Sequence, residues 1–191
     1  MFYKDDRLAL FIDGASLHSA SRALGFEIDF RLVRQEFERR GRLVRANYYT
    51  VLMETEDYSP VRPLVDWLAY NGFNVVTKTA REFTDAAGRK RIKGNMDVDL
   101  VVDAIDLAPR IDHAVLLSGD GALLPLVTAL QRRGVRVSVV STTRSQPSMI
   151  ADEMRRQADN FIELDALREV IGRPAREPRE GDRADSAPVE A

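Results

Sequence analysis

Leu8-Ala9-Leu10-Phe11-Ile12-Asp13-Gly14-Ala15-Ser16 decides how this chain is read. The apolar run is far shorter than a membrane span and lacks the alternation of a half-solvated strand. It therefore fits a strand covered on both faces, as in a parallel sheet with helices above and below. The run stops at Asp13-Gly14, a polar break at the carboxyl end of the strand, and that is the edge where open parallel sheets bind ligands.

Outward from there, short apolar runs alternate with longer amphipathic stretches, the pattern of βαβ units. Phe30 to Gly41 reads as a helix capped by Asp29, and Val44 to Leu52 as a second strand. A helix opens at Ser59-Pro60 and closes at Asn71-Gly72, before a third strand from Phe73 to Thr79. A basic hairpin or loop is expected around the Asp85-Ala86-Ala87-Gly88 turn, then a helix from Gly94 or Asn95 to Ala108. His113 to Ser118 is a fourth buried strand, ending at Gly119-Asp120-Gly121. Leu123 to Arg133 is a helix, Val135 to Ser141 a fifth strand, Met149 to Asn160 a helix, and Phe161 to Leu164 a short strand. The expectation is an α/β fold, a three-layer α/β/α sandwich on a mainly parallel central sheet, over residues 1–171. From about Gly172 to Ala191, Gly, Pro, Arg, Glu and Ala dominate without aromatics, which predicts a disordered C-terminal tail.

Composition narrows the chemistry. The 191 residues include no cysteine, which excludes disulfide scaffolds, thiolate zinc sites, iron–sulfur clusters and thiol catalysis. Only two histidines occur, His18 and His113, far apart in sequence. With 28 Lys+Arg against 30 Asp+Glu the net charge is −2, which argues against a polybasic tail while leaving room for a local basic patch. The charged amino terminus does not resemble a signal peptide, so a soluble, cytoplasmic protein with no membrane segment is expected. There is no phosphate-binding loop of the Gly-x-x-x-x-Gly-Lys-Ser/Thr type, no complete dinucleotide fingerprint and no Gly-x-Ser-x-Gly elbow.

Aspartates remain. Asp13 and Asp120 each follow a buried strand, and Asp97 and Asp99 open a helix that continues through Asp103. Helical spacing puts Asp99 and Asp103 on one side and turns Asp97 elsewhere. Each aspartate alone reads equally as a turn or cap residue. Together at one sheet edge they would repel unless a cation intervened, and an all-oxygen donor set selects Mg²⁺ or Mn²⁺. Such an ion suits metal-dependent phosphodiester cleavage. Positive charge for a phosphate backbone is available in Arg89, Lys90, Arg91 and Lys93, just before the acidic helix, and in Arg144 after the fifth strand. Of Tyr48 and Tyr49, strand alternation is expected to send one into the core, whereas Trp67 and Tyr70 read as helix packing residues. His18 lies close enough to the first motif to approach a substrate.

Three blocks carry a resemblance: Phe11 to Leu17, Lys93 to Leu100 with Asp103, and Leu117 to Gly121. In this order they resemble the signature blocks of the NYN domain, in its LabA-like (DUF88) branch of the PIN-like nuclease superfamily. The likeness spans roughly residues 7–165. It implies a Mg²⁺- or Mn²⁺-dependent endoribonuclease acting on single-stranded or structured RNA, with Asp13, Asp97 and Asp120 as catalytic metal ligands and Asp99 as a further ligand. Ser16, Asp103 and Ser118 are the supporting residues. A homodimer or a protein partner is compatible with it. The chain departs from the family pattern at Ser16, where asparagine is usual, and at Ala122-Leu123, where Asp-Phe is usual, so a fourth acidic position carries no oxygen. The alternative is a catalytically degenerate member acting as an RNA- or protein-binding regulator.

Overall fold

The structure, a computed structural model, describes residues 1–53, 61–84, 90–93 and 95–173. The chain folds as β1 (Arg7–Asp13), α1 (Gly14–Leu24), α2 (Phe30–Arg40), β2 (Arg42–Met53), α3 (Arg62–Tyr70), β3 (Asn74–Thr84) and β4 (Lys90–Lys93). It continues through α4 (Asp97–Leu107), β5 (His113–Leu117), α5 (Leu124–Gln131), β6 (Arg136–Ser141), α6 (Asp152–Gln157), β7 (Asn160–Glu163) and α7 (Arg168–Ile171). One sheet has the order β4-β3-β2-β1-β5-β6-β7, with six parallel strands and β4 antiparallel at the edge. Strand order reverses between β1 and β5, which makes the carboxyl end of β1 the switch point of the sheet.

Both faces of the central strands are covered, as their continuous apolar character requires. Ala9 and Phe11 of β1, with Ala114 and Leu116 of β5, pack against Leu100 and Ala104 of α4 and Leu126 and Leu130 of α5. The alternate residues, Leu10, Ile12, Val115 and Leu117, meet Leu17 of α1, Val33 and Phe37 of α2 and Leu68 of α3. Burying each such side chain contributes about 1.5–3 kcal/mol, so these two layers hold the frame on which the sheet edge is built. Local signals agree with the packing. Asp29 caps α2 through the Arg31 and Leu32 amides at 2.9 and 3.3 Å, and Arg39 and Arg40 at its other end pair with Glu36.

Five readings change. α1 was not expected, because Gly14–Leu24 is serine-rich with a weak apolar period; it forms on the Asp13 cap and the packing of Leu17 and Ala20. β3 continues past Thr79 to Thr84 and pairs with β4, so the basic segment is a hairpin. Its Asp85–Gly88 turn, Ser59-Pro60 and the tail from 174 onward lie outside the described residues. The helix expected from Met149 shrinks to α6, because the Met149 and Ala151 amides donate instead to the Thr142 and Gly119 carbonyls at 3.0 Å each. Tyr48 and Tyr49 are both buried, one on each face, because β2 is an interior strand of a sheet covered on both sides. Trp67 and Tyr70 are not packing residues: α3 packs through Leu68, leaving Trp67 39% and Tyr70 90% exposed.

Candidate metal centre

β1 delivers Asp13 to the switch point and the chain turns at once into α1. That tight entry needs a glycine: a β-carbon on Gly14 would lie 2.6 Å from the Tyr48 hydroxyl and 2.9 Å from the Tyr49 carbonyl oxygen. Asp13 Oδ1 caps the helix, accepting from the Ala15 and Ser16 amides at 3.1 Å each. Its Oδ2 accepts from Ser118 Oγ at 3.1 Å, which ties the end of β1 to the loop after β5. That loop is drawn in by Gly119, where a β-carbon would run into the Met149 carbonyl oxygen and Ser141 Oγ. The Gly119 amide donates to Ser16 Oγ at 3.4 Å, and the Asp120 amide to Ser118 Oγ at 3.3 Å. Asp120 Oδ1 accepts from the Ala122 amide at 2.9 Å and so caps the short 3₁₀ turn Gly121–Leu123. From the third direction comes Asp97, the first residue of α4, whose Oδ2 accepts from Asn95 Nδ2 at 2.7 Å.

Asp13, Asp97 and Asp120 line one open cavity of about 530 Å³, with Ser16, Tyr49 and Asn95 among its walls. Two of the three carboxylates, Asp13 and Asp97, are shifted by burial and by neighbouring charge. Burial raises the pKa of Asp13 above the ordinary aspartate value; hydrogen bonds from Ser16, Ser118 and Ala15 pull it back, and the charge of Asp120 pushes it further up. Asp97 is raised as well, by burial and then by the charges of Asp120 and Asp13. The cap and turn roles anticipated for these aspartates are therefore real, but they leave further lone pairs facing the cavity.

Other candidates stand apart. Asp99, two residues along the helix from Asp97, turns away and forms an ion pair with Lys78 of β3. Asp103 accepts from the Tyr49 hydroxyl at 3.0 Å, and burial with that carboxylate holds the phenol far above its ordinary value. Its influence on the cavity runs through Tyr49. Arg144 reaches the carboxyl edge of the sheet, but its guanidinium is engaged by Asp165 at 2.9 Å. Arg89 lies outside the described residues, as do the side chains of Lys90, Arg91 and Lys93; the backbone of the last three forms β4. The register locates that hairpin. Asp13 is level with Tyr49 and Tyr49 with Val76, so β3 from Thr77 to Thr84 runs on past the switch point. The roles of Asn95 and Tyr49 in shaping the acidic cavity were missed in the sequence. The one available signal was Asn95 standing two residues before Asp97, the spacing of a local Asx contact.

The donor set suits a hard divalent cation in type and in charge. Among the described residues no lysine or arginine pairs with Asp13, Asp97 or Asp120. Nor do three acidic or histidine side chains converge closely enough, as placed, to hold an ion together. Closing on one asks for side-chain rotation at Asp97 and Asp120, each held by a single side-chain hydrogen bond among the described residues.

An α/β domain with carboxylates gathered at its switch point defines a class, and the comparisons give the family. The NYN domain pattern matches residues 7–165, and the chain belongs to that family, a PIN-like group whose members generally bind nucleic acid and use divalent metal ions. Among curated proteins it is similar to the Low amplitude and bright protein LabA of Synechococcus elongatus, 33% identical over 180 residues, covering 92% of this chain and 93% of that one. Among solved structures it is similar to a protein of unknown function from Vibrio parahaemolyticus, with a TM-score of 0.70 at 23% identity, covering 91% of this chain and all of the other; that likeness is one of fold. Among the described residues no helix is long and apolar enough to cross a membrane.

Proposed function

We propose that this protein is a metal-dependent endoribonuclease that cleaves single-stranded or structured RNA at the carboxyl edge of its sheet. The observation that carries the reading is the meeting of Asp13, Asp97 and Asp120, from three separate segments, in one cavity where burial and then neighbouring carboxylate charge raise Asp13 and Asp97. A fold gains nothing from such repulsion, whereas a cation site needs it. Asp13, Asp97 and Asp120 would hold Mg²⁺ or Mn²⁺, which supplies a water of lowered pKa and offsets negative charge on the phosphoryl oxygens.

The chain's own residues do the rest. Ser118 and the first amides of α1 fix the Asp13 carboxylate between them. Asn95 orients Asp97, and Tyr49, held by Asp103, forms a rigid wall. Asp99, neutralised by Lys78, is better suited to steadying α4 against β3 than to ligation. The β3–β4 hairpin, whose sequence carries Arg81, Lys90, Arg91 and Lys93, runs past the acidic cavity on the side where a phosphate backbone would enter.

One observation favours a second reading, an RNA- or protein-binding regulator that has lost catalysis. Ala122 is exposed and offers only its amide to Asp120 where the family pattern has an acid. Incubating a labelled RNA pool with Mn²⁺, with Mg²⁺ and with chelator separates the two. Metal-dependent cutting by the wild type that Asp13→Asn abolishes supports the nuclease. RNA retained without cutting under any condition moves the assignment to the regulator.

A further inference from the structure

We propose that a second cavity, on the opposite side of α1, receives one nucleobase of the RNA strand lying over the aspartates, and so selects where the strand is cut. This rests on the ribonuclease reading. Ala15, Ser16 and Ser19 of α1 line the acidic cavity. Gly14, Leu17, His18 and Ser21, at the spacing of the other helix face, line one of about 470 Å³. The turn from Asp13 to Ser16 is their common wall, so a strand crossing the start of α1 meets both.

The composition of this cavity is that of a binding site for a flat, partly polar ring. Leu17, Ile28, Phe30 and Leu64 give apolar surface for the faces of the ring. Tyr48, His18, Arg22 and Glu27 supply hydrogen-bonding groups of both kinds around it. A few polar groups converging on apolar walls is the usual make-up of a small-molecule site. The volume exceeds that of a single base and leaves room for its ribose, and apolar walls of this extent would be left wet by a bare phosphate.

Tyr48 carries the argument furthest. It is 4% exposed, set edge-on to Phe30 with ring centres 5.3 Å apart, and its hydroxyl lies against Gly14 at the cavity. Its hydroxyl makes no hydrogen bond to the described residues and is not among their sealed, unpartnered polar atoms, so it opens on the cavity with its bonding capacity available. Its neighbour Tyr49, equally buried, is satisfied by Asp103. A hydroxyl open to a mixed cavity, beside the residue that leads to Asp13, is placed to bond a group brought by the substrate. A base edge offers both donors and acceptors. His18 and Arg22 stand exposed on α1 at its rim.

The test uses the full chain carrying Asp13→Asn, to bind RNA without cutting it, and short oligoribonucleotides in which one abasic site is moved along the strand. One abasic position is expected to weaken binding about tenfold, the scale of a lost base contact. With Tyr48→Phe and Arg22→Ala added, that position should make no further difference. In the cutting-competent chain the same two substitutions should broaden the range of bases found beside the cut. An unchanged melting temperature for Arg22→Ala, an exposed helix position, keeps a loss of fold out of the comparison. RNA that binds equally whatever the abasic position overturns the base pocket and leaves the ribonuclease standing. Mononucleotide binding weakened by Arg22→Ala, with RNA indifferent to it, assigns the cavity to a free nucleotide and overturns the proposal. Failure of every form to bind RNA overturns both readings.

Discussion

The two ends of the sheet treat charge in opposite ways. At the amino end, Asp112 accepts from the Arg7 amide and guanidinium at 2.9, 2.9 and 2.8 Å, and these bonds hold it down at about 2. Asp6 pairs there with Arg136. His113, buried and stacked on Phe2, contacts Ser138 Oγ at 2.8 Å, and burial lowers it to about 4, so it is neutral at physiological pH. At the carboxyl end Asp13 is raised by burial and the charge of Asp120, and Asp97 by burial and the charges of Asp120 and Asp13. Strands β1 and β5 run through both ends, so the contrast does not come from the frame. Charges that need only support the fold have partners within it. On the proposed function, the carboxylates of the other end are left repelling because their partner arrives from solution.

The largest effect expected from breaking this contrast is on catalysis. Asp13→Asn or Asp120→Asn should lower metal-dependent RNA cleavage more than about 100-fold, beyond the range of losses seen when groups supporting a metal ligand are removed. Ser118→Ala releases Asp13 Oδ2 without touching the charge count and should cost about tenfold in cleavage rate. Initial rates on one RNA substrate check both.

Stability sharpens the contrast from the other end. His113 has a folded pKa below its unfolded value, so the unfolded chain binds the extra proton. Its contribution is complete above about pH 6.5 and declines as pH falls toward about 4. Urea midpoints across that window should fall for the wild type and fall less for His113→Gln. The smallest effect has the opposite sign at the two edges. A carboxylate raised in the fold disfavours folding once it ionises, so the stability it costs appears as pH rises through the unfolded and then the folded pKa. Asp97→Asn should therefore raise the melting temperature by about 1–3 °C at neutral pH in chelator. Asp112→Asn, losing a lowered carboxylate, should reduce it. Differential scanning calorimetry of the pair reads both signs.

Much of this edge was legible in the sequence because strand ends and helix periods are local. Asp13 and Asp120 sit where an apolar run stops, and helical spacing alone separated Asp97 from Asp99, as the Lys78 pair reflects. The rest depended on packing. α1 has two buried apolar anchors, Leu17 and Ala20, in a serine-rich segment, too few to register as a period. Trp67 and Tyr70 look like core residues by type but fall on the outer face of α3. The second cavity joins Leu17, Phe30, Tyr48 and Leu64, from four elements that only the fold brings together.

The acidic edge as a cation site is tested most directly by melting the wild type and Asp13→Asn in chelator and in Mn²⁺. Asparagine caps a helix as well as aspartate does, so the variant keeps the start of α1 while losing the repelling charge. In chelator the variant should melt higher than the wild type. With Mn²⁺ at about one hundred times its dissociation constant, the wild type should gain about 2.7 kcal/mol, roughly 5–10 °C, and overtake it. A variant that melts lower in chelator, with neither protein shifted by Mn²⁺, would show that Asp13 is a cap and nothing more.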